Sequence, residues 1–256
     1  DSAVGREVAL KELLPPKLGS GTSRVTDSPE LVERFLREAK VTGQLEHPNI
    51  VPVYEIATRE DGSVFYTMKL VRGKTMAHRL LQIQNSNAAP QQKLAERLKL
   101  LDAFTDVCNA VAYAHSRGVI HRDLKPANIM LGEFGETLVL DWGLARVRGQ
   151  EDSSGVRRKA EKQAFSPSLL KDDTSGGTLD GAILGTPAYM PPEQARGELD
   201  KVDERADVYA LGAMLYEVLS GVPPFEGSNA RDVLAKVLVL KPESLQKIAP
   251  HAPPDL

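Results

Sequence analysis

Apolar residues in the first part of the chain follow the patterns of short strands around one helix. Runs of branched and apolar residues bounded by turn residues predict strands at 7–11, 51–56 and 63–71, the last two joined by a turn at 60–63. Ser28, Pro29 and Glu30 form a helix-start signal. An apolar stripe at spacings of four follows that signal, formed by Leu31, Phe35 and Ala39. We therefore predict a sheet with one helix packed against a core.

Helical spacing dominates the later part of the chain. Residues 84–92 are polar and predict a loop, and one stripe of three- and four-residue steps then predicts a single long, buried helix: Leu94, Leu98, Leu101, Thr105, Cys108 and Ala112. His115 is interpreted as a cap at the end of this helix, where it favours the negative end of the dipole. Asp207 opens a further helix that Gly221 ends, with apolar spacing from Leu211, Leu215 and Leu219.

Composition and charge exclude several classes of protein. The chain has 256 residues, 41% of them hydrophobic and 26% charged, as is ordinary for a soluble globular protein. Its net charge of -3 gives no reason to expect nucleic acid as a partner. Cys108 is the one cysteine, so an internal disulfide framework is excluded and a buried structural thiol is expected. No run of about eighteen apolar residues predicts a membrane span within this segment.

The octapeptide His-Arg-Asp-Leu-Lys-Pro-Ala-Asn at 121–128 carries the strongest chemical signal. It places three groups suited to phosphate chemistry on one short loop. The Asp123 carboxylate can accept a hydroxyl proton, the Lys125 ammonium can neutralise a transferring phosphoryl group, and the Asn128 carbonyl can hold Mg²⁺. This octapeptide resembles the catalytic loop of protein kinases, whose pattern is H-R-D-x-x-x-x-N. The alternative interpretation is a surface turn with ordinary charges.

Other motifs follow in the order of the same family. The strand ending in Lys11 resembles the kinase V-A-I-K strand, which implies that Lys11 binds the ATP phosphates and that Ala9 lies against the adenine. The helix after Pro29 resembles the kinase C-helix, which implies a pair between Glu38 and Lys11. We interpret Gly19-Ser20-Gly21 as a flexible insertion, because it follows Lys11 instead of preceding it.

The resemblance also implies the rest of the nucleotide and metal site. Met68 would guard the back of the adenine pocket, and the backbone of Lys69 and Val71 would bind the adenine edge. Met130 belongs to the same implied cofactor-binding set. Asp141-Trp142-Gly143 resembles the D-F-G element with Trp in place of Phe, which implies that Asp141 binds Mg²⁺ with Asn128 and that Trp142 packs inward.

The family further implies a long activation segment at 141–193, which closes with Pro191-Pro192-Glu193 in place of A-P-E. Autophosphorylation within it is expected at Thr178, with Thr174 and Ser175 as further candidates, and self-association of two chains would allow that reaction. Asp207 is expected to anchor the backbone of the catalytic loop, so that it affects stability and activity together. Lys125 and Thr186 match the Ser/Thr branch of the family.

The implied architecture is an α+β, two-lobed kinase fold. Residues 1–70 would form an incomplete, β-rich small lobe and residues 71–256 a larger, mainly helical lobe without its final helices. We expect this segment alone to be inactive, because the Gly-rich loop would lie before residue 1. The expected function is ATP- and Mg²⁺-dependent phosphorylation of Ser and Thr in proteins, in the cytoplasm and in bacterial signalling, with any membrane anchor outside this segment. A pseudokinase scaffold and a small-molecule phosphotransferase remain as alternatives.

Overall fold

A three-stranded antiparallel sheet and one helix form the first part of the chain. The structure is a computed structural model that describes residues 5–13, 29–147 and 187–253. The sheet has the order β1-β3-β2, formed by β1 (Val8–Glu12), β2 (Val53–Thr58) and β3 (Val64–Lys69). Helix α1 (Pro29–Gly43) packs Phe35 and Ala39 against Tyr66 of β3. Leu31 does not share this face as predicted: its side chain is 42% exposed, because the first turn of α1 extends past the edge of this cluster.

The predicted long helix is two helices with a break at Lys99 and Leu100. Helix α2 (Met76–Gln84), which the sequence pattern did not reveal, comes first; α3 (Pro90–Leu98) and α4 (Leu101–Ser116) follow it. Pro90 opens α3 at a position where its missing N–H costs nothing, so the predicted loop is shorter than residues 84–92.

The buried face of α4 also differs from the predicted one. Its buried residues are Val107, Ala110, Val111 and Ala114, whereas Thr105 and Ala112 are exposed. The predicted stripe was wrong because α4 has apolar residues on more than one side, so spacing alone left the orientation of the helix open. The face that is buried packs into the main core of the protein.

The loop 121–128 connects two further small sheets, one of three strands and one of two. Strand β5 (Val119–Ile120) precedes this loop and β6 (Ile129–Gly132) follows it; β6 pairs with β4 (Gly73–Thr75) and β7 (Thr137–Val139), and β5 pairs with β8 (Arg146–Val147). Asn49, after α1, ties the three-stranded sheet to the first part of the chain. Its backbone carbonyl accepts from the Val139 N–H at 2.8 Å, and its side-chain amide donates to the Thr137 carbonyl at 3.0 Å. The strand that leads to Asp141 is therefore held against the segment that follows α1.

Four further helices complete the described chain. They are α5 (Pro192–Ala195), α6 (Arg205–Ser220), α7 (Ala230–Val239) and α8 (Leu245–Ile248). Helix α6 belongs to the main core through Ala210, Met214 and Val218, and it ends as predicted at Gly221, whose φ of 86° favours glycine. None of the helices in the described ranges is long and apolar enough to cross a membrane.

Candidate active site

The loop between β5 and β6 brings three polar side chains together. The Lys125 ammonium donates to Asp123 Oδ2 at 2.8 Å, and the Asn128 amide donates to the same oxygen at 3.2 Å and to the Asp123 backbone carbonyl at 2.9 Å. Residues 126–128 form one turn of 3-10 helix, and this turn folds Asn128 back toward Asp123. The predicted grouping of Asp123, Lys125 and Asn128 is therefore present in the structure.

Asp207, on the first turn of α6, holds the backbone of this loop. Its carboxylate is buried and accepts hydrogen bonds from the backbone N–H groups of His121 and Arg122, both at 2.8 Å. His115 Nε2 lies 2.7 Å from the same carboxylate. The predicted position of His115 in the last turn of α4 is confirmed, but the sequence did not reveal that its ring contacts Asp207 of α6. The anchor at Asp207 agrees with the expectation from the sequence.

His121 connects the loop to the strand that delivers Asp141. Its Nδ1 accepts from the Asp123 N–H at 3.2 Å, so Nε2 carries the ring proton toward the Leu140 carbonyl at 3.1 Å. The Leu140 N–H in turn donates to the Asn128 carbonyl at 2.8 Å. These bonds place Asp141 directly after a residue that is fixed to the Asp123 loop.

Trp142 packs inward, as predicted for this position. Its side chain is almost fully buried, and its ring centroid lies 4.6 Å from that of His121. The indole N–H has no hydrogen-bond partner among the described residues. A Cβ atom at position 143 would lie 2.9 Å from Glu38 Oε2 and 3.1 Å from Asp141 Oδ1, so a larger residue there would displace the Glu38 carboxylate.

Lys11 and Glu38 form the pair that the resemblance implied. Lys11 Nζ lies 2.5 Å from Glu38 Oε1 and 3.7 Å from Asp141 Oδ1. Tyr66 faces Lys11 across the β1–β3 ladder, and its hydroxyl donates to the same Glu38 oxygen at 2.6 Å. Burial, together with this bond to Glu38, raises the pKa of the Tyr66 hydroxyl, so it remains a donor. Tyr66 was not among the predicted site residues, because a tyrosine in an apolar strand reads simply as core.

The residues expected to contact adenine lie at the end of the first sheet and beyond it. Ala9 and Met68 are partners in the β1–β3 ladder. The Lys69 N–H donates to the Pro52 carbonyl at 3.1 Å. Val71 follows the end of β3, and Met130 lies on β6, two residues after Asn128.

The donor atoms present suit a hard divalent cation. The Asn128 amide nitrogen is engaged by Asp123, which leaves the amide oxygen for a ligand, and the Asp141 side chain is 47% exposed. Mg²⁺ prefers oxygen ligands and typically takes one or two from protein, with phosphates and waters completing its shell. Among the described residues no cluster of three or more His, Cys, Asp or Glu side chains could hold a metal ion. Asn128 and Asp141 therefore fit Mg²⁺ that is shared with a bound nucleotide.

Gln194, on α5, was missed by the sequence analysis. Its side-chain amide is buried and donates to the Arg122 carbonyl at 2.8 Å. The sequence offers no signal for this contact, since Gln194 is one polar residue after Glu193 and lies 72 positions from its partner. Thr174, Ser175, Thr178 and Thr186 lie outside the described residues.

Comparison with known proteins adds an independent observation. A family model described as protein kinase domain matches residues 2–252. The chain is 37% identical over 247 residues to the serine/threonine-protein kinase PknD of Chlamydia muridarum, and the match covers 94% of this chain and 25% of that protein. It is 38% identical over 229 residues to PknD of Protochlamydia amoebophila, covering 88% and 22%, and 36% identical over 256 residues to PknD of Chlamydia caviae, covering 98% and 25%. The chain thus spans about a quarter of the length of these relatives.

Proposed function

The chain belongs to the protein kinase domain family, and on that premise we propose that it transfers the γ-phosphate of ATP to Ser and Thr hydroxyls of proteins. The observation that carries this proposal is the Asp123 carboxylate, which both Lys125 and Asn128 contact while Asp207 holds the loop beneath it. An ordinary surface turn has no reason to engage three separate side chains in this way.

Asp123 supplies the base of the proposed reaction. As the substrate hydroxyl oxygen bonds to the γ-phosphorus, its proton passes to the Asp123 carboxylate, and the bond from the γ-phosphorus to the bridging oxygen of ADP breaks. Lys125 lies against the same carboxylate, where its charge can follow the transferring phosphoryl group. Mg²⁺ held by Asn128 and Asp141 would add positive charge next to the phosphate oxygens.

Lys11 is the residue proposed to bind the remaining phosphates. Glu38, whose carboxylate also accepts from Tyr66, contacts Lys11 on one side, and the Asp141 carboxylate lies 3.7 Å from it. Because Glu38 is buried on α1, the position of this helix sets the position of Lys11. Ala9, Met68, Lys69, Val71 and Met130 complete the proposed nucleotide site.

The test compares Asp123→Asn with the wild type in the full-length protein. General-base placement contributes roughly 10² to 10⁴ in rate, so the variant should lose most phosphate transfer to a generic protein substrate. Its affinity for Mg-ATP should stay within a few-fold. The exposed residue Asp200 provides the control, because Asp200→Asn makes the same chemical change away from the site.

Two results would count against the proposal. Equal turnover by Asp123→Asn and the wild type would remove Asp123 from the mechanism. A wild-type protein that binds Mg-ATP but modifies no protein would favour a pseudokinase, and transfer to small molecules alone would favour a small-molecule phosphotransferase.

The proposal extends to regulation and location. Autophosphorylation at Thr178, between two associated chains, would add negative charge to the segment before Pro187. Mass spectrometry of active protein should find phosphate at Thr178, and Thr178→Ala should lower activity; full activity without phosphate would contradict this part. A role in bacterial signalling, with the domain in the cytoplasm where ATP is available, completes the proposal.

A further inference from the structure

One peptide bond in the site, between Arg122 and Asp123, is held by a side chain at each of its polar ends. The Arg122 carbonyl accepts from Gln194 Nε2 at 2.8 Å, and the Asp123 N–H donates to His121 Nδ1 at 3.2 Å. This peptide directly precedes the proposed base. Its orientation therefore sets the direction in which the Asp123 side chain leaves the backbone.

The backbone at this point is strained and needs such restraint. Arg122 has a φ of 67°, in the left-handed region that non-glycine residues rarely adopt. Strain of this kind persists only where the surroundings over-determine the conformation. On the N-terminal side Asp207 supplies that restraint through the His121 and Arg122 N–H groups. On the C-terminal side, the restraint comes from the hydrogen bond that the Gln194 side chain donates to the Arg122 carbonyl.

The Gln194 side chain is suited to this one contact. It is 2% exposed, and its Oε1 has no hydrogen-bond partner among the residues that the structure describes. A buried acceptor without a partner is unfavourable, and an apolar residue of the same size would avoid it. The donation from Nε2 to the Arg122 carbonyl is the polar interaction that the structure gives to this side chain.

We propose that Gln194 is a positioning residue for Asp123, holding the peptide that aims the carboxylate and coupling the segment around Pro187–Ala195 to the base. This inference rests on the proposed function, since it takes Asp123 as the base. Displacement of a reacting group by about 1 Å can cost about 10²-fold in rate. Loss of the Gln194 contact should therefore lower kcat while leaving nucleotide binding in place.

The test uses two variants of the full-length protein. Gln194→Met keeps the size of the side chain and removes the donor, and Gln194→Glu is isosteric and loses the donor when the introduced carboxyl is ionised. Both should lower kcat by about 10- to 100-fold at neutral pH, with the KM for ATP within about twofold of the wild type. Gln82→Met and Gln82→Glu, at an exposed position of α2, are the matched controls and should leave kcat unchanged.

The pH dependence separates positioning from a general structural role. A protonated carboxyl can donate to the Arg122 carbonyl, and burial favours that form. The kcat of Gln194→Glu, divided by that of the wild type at each pH, should rise as the pH falls, whereas the same ratio for Gln194→Met should stay flat. Taking the ratio cancels any pH dependence that the variant and the wild type share. The ionisable residues that line the cavity beside Gln194 are Arg122, Asp123 and Tyr189.

Amide hydrogen exchange gives a measurement that does not depend on activity. The Asp123 amide should exchange faster in Gln194→Met than in the wild type, while amides within α6 should keep their protection. A wild-type kcat in both Gln194 variants, or unchanged exchange at Asp123, would overturn the inference. Absence of phosphate transfer by the wild type itself would instead count against the proposed function, and the exchange measurement would still decide whether Gln194 holds the peptide.

Discussion

Replacement of Asp207 by asparagine should lower stability and activity together. The Asp207 carboxylate is buried and has three donors around it: the backbone N–H groups of His121 and Arg122 and the ring of His115, at 2.7 to 2.8 Å. Both of its oxygens are used, because Oδ1 accepts from Arg122 and Oδ2 accepts from His121 and lies against His115. Asparagine has the same shape but only one oxygen, so its NH₂ group must face at least one N–H donor.

The size of the effect follows from these bonds. Hydrogen bonds to a charged group contribute about 1.5 to 3 kcal/mol, and a buried donor left without a partner costs about 1 to 3 kcal/mol. We expect the free energy of unfolding to fall by about 2 to 4 kcal/mol, since one bond is lost outright and the others lose their charged acceptor. For a domain of this size, about 3 kcal/mol corresponds to a Tm lowered by roughly 6 to 12 °C.

Urea unfolding, calorimetry and phosphate transfer, measured on the same preparations, test this expectation. Activity should fall even at temperatures where Asp207→Asn is fully folded, because the strained φ of Arg122 is no longer held and Asp123 loses its fixed direction. Asp200→Asn, at an exposed position, is the control. If Asp207→Asn unfolded within about 0.5 kcal/mol of the wild type, the carboxylate would not be the anchor that the geometry indicates.

Two further outcomes are expected. Tyr66→Phe removes the hydroxyl that donates to Glu38, so the free energy of unfolding measured in urea should fall by about 1.5 to 3 kcal/mol. Tyr54→Phe, at a more exposed ring, is the control. An unchanged unfolding midpoint in Tyr66→Phe would show that the bond does not stabilise the protein. Burial raises the pKa of the Glu217 carboxyl, although the hydrogen bond from Tyr189 opposes this. The folded protein therefore binds the Glu217 proton more tightly than the unfolded chain does. Proton binding by Glu217 adds to the free energy of unfolding at low pH, and this stabilisation is lost as the pH rises above about 4.5. Glu217→Gln should remove that loss, and equal slopes of unfolding free energy against pH for the variant and the wild type would contradict it.

Short-range patterns in the sequence were enough to predict much of the site. The spacing of Asp123, Lys125 and Asn128 confines all three to one loop, and a single turn after Pro126 brings their side chains together. Strand and helix boundaries near Lys11 and Glu38 were also close, since Pro29 and the branched residues of β1 act locally. The pairing of Lys11 with Glu38 followed from the resemblance to a family and is present in the structure.

Orientation and distant contacts required the tertiary structure. Helix α4 is apolar on several sides, so periodicity could not decide that Val107 and Val111 would be buried while Thr105 would be exposed. Leu31 satisfied the spacing of its stripe, but the core beside α1 does not extend to its turn.

Besides the local contacts of His121, Lys125 and Asn128, residues far away along the chain supply polar contacts that hold the backbone around Asp123. His115 meets Asp207 across 92 positions, and Gln194 reaches Arg122 across 72. From the neighbouring sequence alone, His115 could equally well be a helix cap and Gln194 a surface amide. Eight consecutive residues are thus enough to predict the chemistry of the loop. The restraint of its backbone arises only when α4, α5 and α6 pack around it, because polar groups that become buried there form hydrogen bonds with one another.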